Sequence, residues 1–120
     1  MDNCIFCKIA AGEIPSTTIY EEEDFRVILD LNQSMAGHML ILPKVHFADV
    51  YDIPDLRLAR AMLLAKRMAK AARAGFAAKG TPIDGVNILQ NNGEAAGQTV
   101  MHYHLHVIPR FKGDDAFPAW

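Results

Sequence analysis

The sequence predicts an α+β domain built on a five-stranded, mostly antiparallel sheet, with one short N-terminal helix and one long central helix. Two observations point there. Short apolar and β-branched runs bounded by turn signals lie on both sides of a single stretch dense in helix formers. At 120 residues the chain suffices for one core but not for two domains of ordinary size, so residues 1–120 read as a single domain. Hydrophobic residues at 51% and charged residues at 22% are those of a globular chain and exclude a disordered one.

Each element follows from local chemistry. Residues Cys4 to Ala11 are apolar with scattered polarity and stop at Gly12, which predicts a short helix. Thr18 to Glu22 and Phe25 to Leu31 are rich in β-branched and apolar residues and meet at an acidic turn, the pattern of a hairpin. The run His38 to Leu42 follows Gly37, halts at Pro43, and suits a buried strand.

From Asp55 to Lys79 the chain is dense in Ala, Leu, Met, Lys and Arg, with Pro54 before it and Gly80 after it. Leu56, Ala59, Met62, Leu63, Ala69 and Ala72 recur at helical spacing and are expected to face the core. The basic residues Arg60, Lys66, Arg67, Lys70 and Arg73 mark a solvated face, the alternative being a surface for a membrane or partner. Val86 to Gln90 and Val100 to Arg110 then form two strands joined by the polar, glycine-containing loop 91–99. Both helices are expected on one side of the sheet.

The net charge of −2 argues against a nucleic-acid binder that relies on bulk positive charge. No run approaches the length of a membrane span, and Met1 to Cys4 lacks the basic start of a signal segment, so a cytoplasmic protein is expected. Both cysteines fall in the unit Cys4-Ile5-Phe6-Cys7. In a reducing compartment that points to a metal or a redox pair, with two small buried hydrophobes or an adventitious disulfide as the plainer reading.

The densest chemistry is the run His102-Tyr103-His104-Leu105-His106. In a strand the three imidazoles share one face, the first and third about 13 Å apart, too far for one metal to take all three. A hydrolytic zinc site using adjacent members with a ligand from another strand is one arrangement. A division of labour is favoured over it. Two thiolates and two imidazoles, His46 and one end of the triad, would close a structural site around Cys4 and Cys7. His104, flanked on both sides, suits nucleophilic attack on phosphorus. Gly93 and Gly97 let backbone N–H groups approach a phosphate, and Asn91, Gln98 and Thr99 offer side-chain hydrogen bonds without negative charge.

The string Gly97-Gln98-Thr99-Val100-Met101-His102-Tyr103-His104-Leu105-His106-Val107-Ile108 closely resembles the signature of the histidine triad (HIT) family of nucleotide hydrolases and transferases. Cys4 to Ile9 with Gly12-Glu13-Ile14-Pro15, Asp30 to Leu42, and Ile108-Pro109-Arg110 extend the likeness over nearly the whole chain. The resemblance implies cleavage of a nucleoside 5′-monophosphate, AMP or GMP, from a phosphoramidate or a dinucleoside polyphosphate through nucleotidyl-His104. His106 would hold the phosphoryl group and His38 would support the network. Asn91, Gln98 and Thr99 match positions that contact the phosphate or the leaving group. Asp30 matches a ribose-binding carboxylate, and Ile5, Phe6, Ile9, Ile28 and Leu31 an apolar pocket for the purine base.

Members with paired cysteines bind structural zinc, which here implies Cys4, Cys7, His46 and His102 as ligands, the bacterial type. The family's homodimers join two sheets into one continuous sheet, and Trp120 would either reach the partner's site or be surface packing. The string 97–100 and Ile108-Pro109-Arg110 lean toward the polyphosphate branch, while chain length and the cysteine pair match the general bacterial type. A zinc-stabilised nucleotide-binding or protein-interaction module with little turnover is the rival reading.

Overall fold

A computed structural model of the protein describes residues 3–30 and 36–114. The five predicted strands are present: β1 (Thr18–Glu21), β2 (Phe25–Leu29), β3 (Met39–Pro43), β4 (Gly85–Leu89) and β5 (Leu105–Arg110). They form one sheet in the order β1-β2-β3-β5-β4, with every neighbouring pair antiparallel. The helices are α1 (Ile5–Ala10) and α2 (Asp55–Ala78), and a 3-10 turn sits at Glu94–Ala96 in the loop before β5.

The helices lie on opposite faces of the sheet, which corrects the expectation that they share one. Phe25, Val27, Met39, Ile41, Leu105 and Val107 point toward α2 and pack with its Ala61, Leu64 and Ala65. Their alternation partners Ile28, Leu40 and Leu42 pack with Ile9 of α1. All five residues of β3 are therefore buried, and its sequence reads as a continuous apolar run.

The buried stripe of α2 keeps the expected Ala69 and Ala72 but departs from expectation in its first half, where Ala59 is exposed. Ala61, Leu64 and Ala65 are buried, with Leu58, Met68, Ala69 and Ala72 packed beside them, whereas Leu56, Met62 and Leu63 are exposed. Small residues at the contact let the helix sit close to the sheet. The sequence offers two apolar stripes about one position apart, and volume at the contact selects between them. Part of the basic face is engaged by the fold: Arg60 pairs with Asp24 at 3.0 Å, joined there by Arg57 at 3.5 Å, and Arg67 lies over the Tyr20 ring, while Lys66, Lys70 and Arg73 are exposed. No described helix is long and apolar enough to cross a membrane.

β5 starts at Leu105 instead of Val100, so of the three triad histidines only His106 belongs to a strand. His102 and His104 lie on an irregular approach held by Tyr103 N–H donating to the Phe47 carbonyl at 2.6 Å. Pairing of β3 with β5 runs through Met39–Val107, Leu40–His106 and Ile41–Leu105. The Arg110 carbonyl accepts from Asp84 N–H on the β4 side, so the donor that Pro109 lacks would have pointed toward β3. There β3 has already ended; Gly37 stands opposite, at φ +77°, where an added Cβ would lie 3.2 Å from the Pro109 ring.

Candidate active site and metal centre

His104 is buried, and its Nδ1 lies 2.8 Å from the His102 carbonyl oxygen. A carbonyl only accepts, so Nδ1 carries the hydrogen and the lone pair sits on Nε2. Burial holds the imidazole below its ordinary pKa, outweighing the carbonyl bond and Asp30, which act the other way. The result is a neutral ring with one fixed tautomer, as a nucleophile requires.

His106 lies beside it, ring centroids 4.9 Å apart, and its Nδ1 is 2.9 Å from Nε2 of His38. Burial, then the neighbouring His104 and His38, push His106 down to about 3. His38 Nδ1 stands 3.4 Å from an Asp30 carboxylate oxygen, and burial depresses His38 despite that carboxylate. Asp30, His38 and His106 thus form a file ending beside the nucleophile. Edge-on against the His104 ring, at 4.9 Å between centroids, lies Phe6 of α1.

His102 is fully buried and turned away from this file. Its Nε2–H donates to the Pro43 carbonyl at 2.8 Å, which leaves the Nδ1 lone pair facing the cysteines. Nδ1 stands 3.3 Å from Cys4 Sγ and 3.4 Å from Cys7 Sγ, and His46 Nδ1 is 3.2 Å from Cys7 Sγ. All four ligand atoms lie within 4.8 Å of one another. Usual zinc–sulfur and zinc–nitrogen bond lengths give a tetrahedral S···N edge of about 3.6 Å, so the donor set fits a zinc ion. Burial and the adjacent Cys4 sulfur push the Cys7 thiol up to about 11, and a cation between the sulfurs is what would hold both as thiolates. Both cysteines are free thiols, not a disulfide. The triad is split between two sites, and among the described residues the donor atoms that converge as a metal cluster are those of Cys4, Cys7, His46 and His102, not two adjacent triad members with a ligand from another strand.

The loop before the triad is braced from within. Gln98, buried, donates from Nε2 to the Ala48 carbonyl at 2.7 Å and the Val100 carbonyl at 3.0 Å, and accepts from Gly93 N–H at 2.8 Å. Both its N–H groups are taken, so the direct phosphate contact expected of Gln98 gives way to support of the loop. Asn91 reaches the Gly97 carbonyl at 3.5 Å. Gly93 and Gly97, at φ +91° and +95°, hold the backbone where other residues are strained. Thr99 is exposed and lines an open pocket of ≈ 580 Å³ with Asn3, Cys4, Ile5, His46, Val100 and Met101. Of the residues expected to hold a base, Ile9 and Ile28 are sealed in the core, while Ile5 and Phe6 keep accessible surface. Leu31 and Trp120 lie outside the described residues.

Two contributors were not singled out from the sequence. Asn92 accepts from Val50 N–H and from the Gln90 amide, each at 2.7 Å, and ties the loop to the segment after β3; its only signal was standing next to Asn91. The carbonyls of His102 and Pro43, which fix the two imidazole tautomers, have no residue-type signature at all.

The model of the HIT domain matches residues 11–113. Protein hit of Bacillus subtilis is 46% identical over 118 residues, covering 98% of this chain and 78% of the relative. Adenosine 5′-monophosphoramidase HNT1 of Saccharomyces cerevisiae is 46% identical over 107 residues, 89% of this chain and 62% of the yeast protein. A Zn-bound histidine triad family protein from Mycobacterium smegmatis superposes with a TM-score of 0.86 at 43% identity, covering 95% of this chain and 79% of that one. With the triad, the cysteine pair and the sheet in place, the chain belongs to the HIT domain family.

Proposed function

We propose that the protein is a nucleotide hydrolase that releases a nucleoside 5′-monophosphate, AMP or GMP, through a nucleotidyl intermediate on His104. The observation that carries this is the buried, neutral His104 ring, whose Nδ1–H is committed to the His102 carbonyl and whose Nε2 is left as the nucleophile. Nε2 attacks the α-phosphorus, the bond to the leaving group breaks, and water then opens the phosphorus–nitrogen bond, which returns the imidazole. His106, steadied by His38, faces the phosphoryl oxygens; Asp30 takes the ribose hydroxyls; Asn91 and Thr99 border the phosphate; Ile5 and Phe6 cover one side of a purine.

A phosphoramidate is the favoured substrate branch. Among the described residues the pocket beside Thr99 is lined by Asn3, Cys4, Ile5, His46, Val100 and Met101, with no Lys or Arg to neutralise a polyphosphate leaving group. The yeast relative's activity on an adenosine monophosphoramidate agrees with this. Cys4, Cys7, His46 and His102 would hold a zinc ion, which would supply a structural tie between α1 and the approach to β5, and no chemical step passes through it.

The edge strand β4 supports a homodimer. It is uncharged, exposes Val86, and borders an open groove of ≈ 570 Å³ that includes Lys66, Ala69, Arg73, Ile83 and Ile88, so a second β4 can extend the sheet. The free thiol pair suits the reducing cytoplasm.

The test is His104→Ala, which should abolish hydrolysis of adenosine phosphoramidate while AMP still binds. Rates on adenylated lysine and diadenosine polyphosphates, taken side by side, decide the branch. Absence of turnover on both in the wild-type chain would leave the rival, a zinc-stabilised binding module.

A further inference from the structure

The metal site and the nucleophile share parts. The carbonyl that fixes the His104 tautomer belongs to His102, whose side chain is one of the four that would hold zinc. Phe6, which lies edge-on to both His104 and His102, is inside the Cys4-Ile5-Phe6-Cys7 unit. α1 is only six residues long, too short to hold by its own hydrogen bonds, and it depends on tertiary anchors. At its C-terminal end those are Ile9 and Ala10; at its start they are the cysteines, with Cys4 Sγ also accepting the Cys7 N–H at 3.1 Å.

The two sulfurs are within reach of solvent. Neither cysteine is fully buried, and the ≈ 580 Å³ pocket that opens beside Thr99 has Cys4 and His46 in its wall. We propose that Cys4 and Cys7 are a two-electron modification site: a hydroperoxide admitted through this pocket converts them to a disulfide, strips the zinc site of two ligands, and disengages the nucleophile.

The chemistry balances without a further reactant. One thiolate attacks the terminal oxygen of the hydroperoxide, the O–O bond breaks, and an alcohol departs after taking a proton from solvent. The second thiolate attacks the resulting sulfenic acid, the S–S bond forms, and hydroxide leaves as water with a second proton. Two electrons have passed from sulfur to oxygen. Drawing the sulfurs to about 2 Å removes both as zinc ligands and removes the acceptor that caps α1. His46 and His102 alone do not make a four-coordinate site, so His102 loses its tether, and Phe6 shifts with the first turn of the helix.

The proposal rests on the hydrolase reading for its effect on turnover, but zinc release and nucleotide binding are measured independently of it. Zinc-loaded full-length protein is treated with graded hydrogen peroxide, and released zinc is followed with a chromogenic chelator, free thiols by titration, and AMP affinity by calorimetry. One zinc is expected to leave for every two thiols lost, with AMP affinity and turnover each falling tenfold or more. Dithiothreitol with added zinc should restore all of them. Phe6→Leu, which keeps the metal ligands, should retain zinc while lowering turnover and blunting the effect of oxidation on it.

The proposal is overturned if zinc stays bound as the thiols are consumed, or if zinc leaves while AMP affinity stays within twofold. It is also overturned if the loss is not restored by reductant, as oxidation of the exposed Met101 would give. Absence of turnover in the reduced protein would instead count against the hydrolase reading and leave the zinc and AMP measurements to decide this one.

Discussion

Replacing His106 with Asn should make the protein less sensitive to acid, and the size of the effect follows from its surroundings. In the unfolded chain a histidine titrates near 6.5, whereas burial beside His104 and His38 pushes His106 down to about 3. As pH falls through this window the unfolded chain takes up a proton that the folded chain refuses. Stability is therefore complete above 6.5 and is lost progressively as pH drops toward 3. Between pH 7.5 and 4.5 the window spans about 2 pK units, a ceiling of about 2.7 kcal/mol at 1.36 kcal/mol per unit. His106 keeps a solvent-facing rim, and screening by water there brings the expectation to about 1.5 kcal/mol. Asn places a polar atom near the position of Nδ1, so the bond with His38 has a replacement partner. Urea unfolding of both proteins at the two pH values measures the difference, since groups away from His38 and His104 titrate alike in both. Equal losses on acidification would refute the argument that a neutral, desolvated His106 is built into the fold.

Other outcomes follow from the same geometry. The acid limb of kcat/KM should have its midpoint below 6.5, because burial keeps His104 unprotonated, and a midpoint above 6.5 would contradict the site described. Gln98→Ala leaves the Ala48 and Val100 carbonyls and the Gly93 N–H without their partner; a loss of about 2–4 kcal/mol in denaturant unfolding is expected, with a matching fall in kcat/KM from a loosened loop. Gly37→Ala should cost about 1–3 kcal/mol through its positive φ, plus a contact with Phe76, 2.9 Å from the new Cβ, that Phe76→Ala in the same chain relieves. Dialysis against a strong chelator should lower the thermal midpoint and increase protease cleavage near α1, and a melt unchanged by the chelator would remove zinc from the account.

Much of this was legible in the sequence because it is written in side-chain type and period. Gly12, Pro54 and Gly80 punctuate the helices, and the apolar runs give all five strands within a few residues. The cysteine pair, needing two imidazoles, pointed to His46 and one end of the triad, the family resemblance implied His102, and these four converge in space. The misses have a common cause, since they concern which of two locally equivalent arrangements tertiary packing selects. α2 carries Leu56 and Leu63 at good helical spacing, yet the stripe with Ala61 and Ala65 allows the closer approach and wins. The placement of α1 opposite α2 depends on β3 being apolar on both faces, which periodicity alone does not distinguish from a buried helix segment. The late start of β5 goes with the bonds of Tyr103 to the Phe47 carbonyl and of His102 to the Pro43 carbonyl, and Gln98 sits in the loop core because three main-chain groups need it.

The proline at the end of the triad strand has a meaning for errors of assembly. A slip of one residue between β3 and β5 would send His106 to the face beneath α2 and Val107 into the site, leaving the molecule without its histidine file. Pro109 cannot donate toward β3, and its ring already crowds the position opposite Gly37, so pairing that runs past Met39 meets a barrier in the chain itself. A residue that never meets a substrate is thus expected to disfavour the slipped register during folding. Substitutions at Pro109 should appear first as a fraction of inactive molecules in a fresh preparation, and only afterwards as any change in the rate of the active ones.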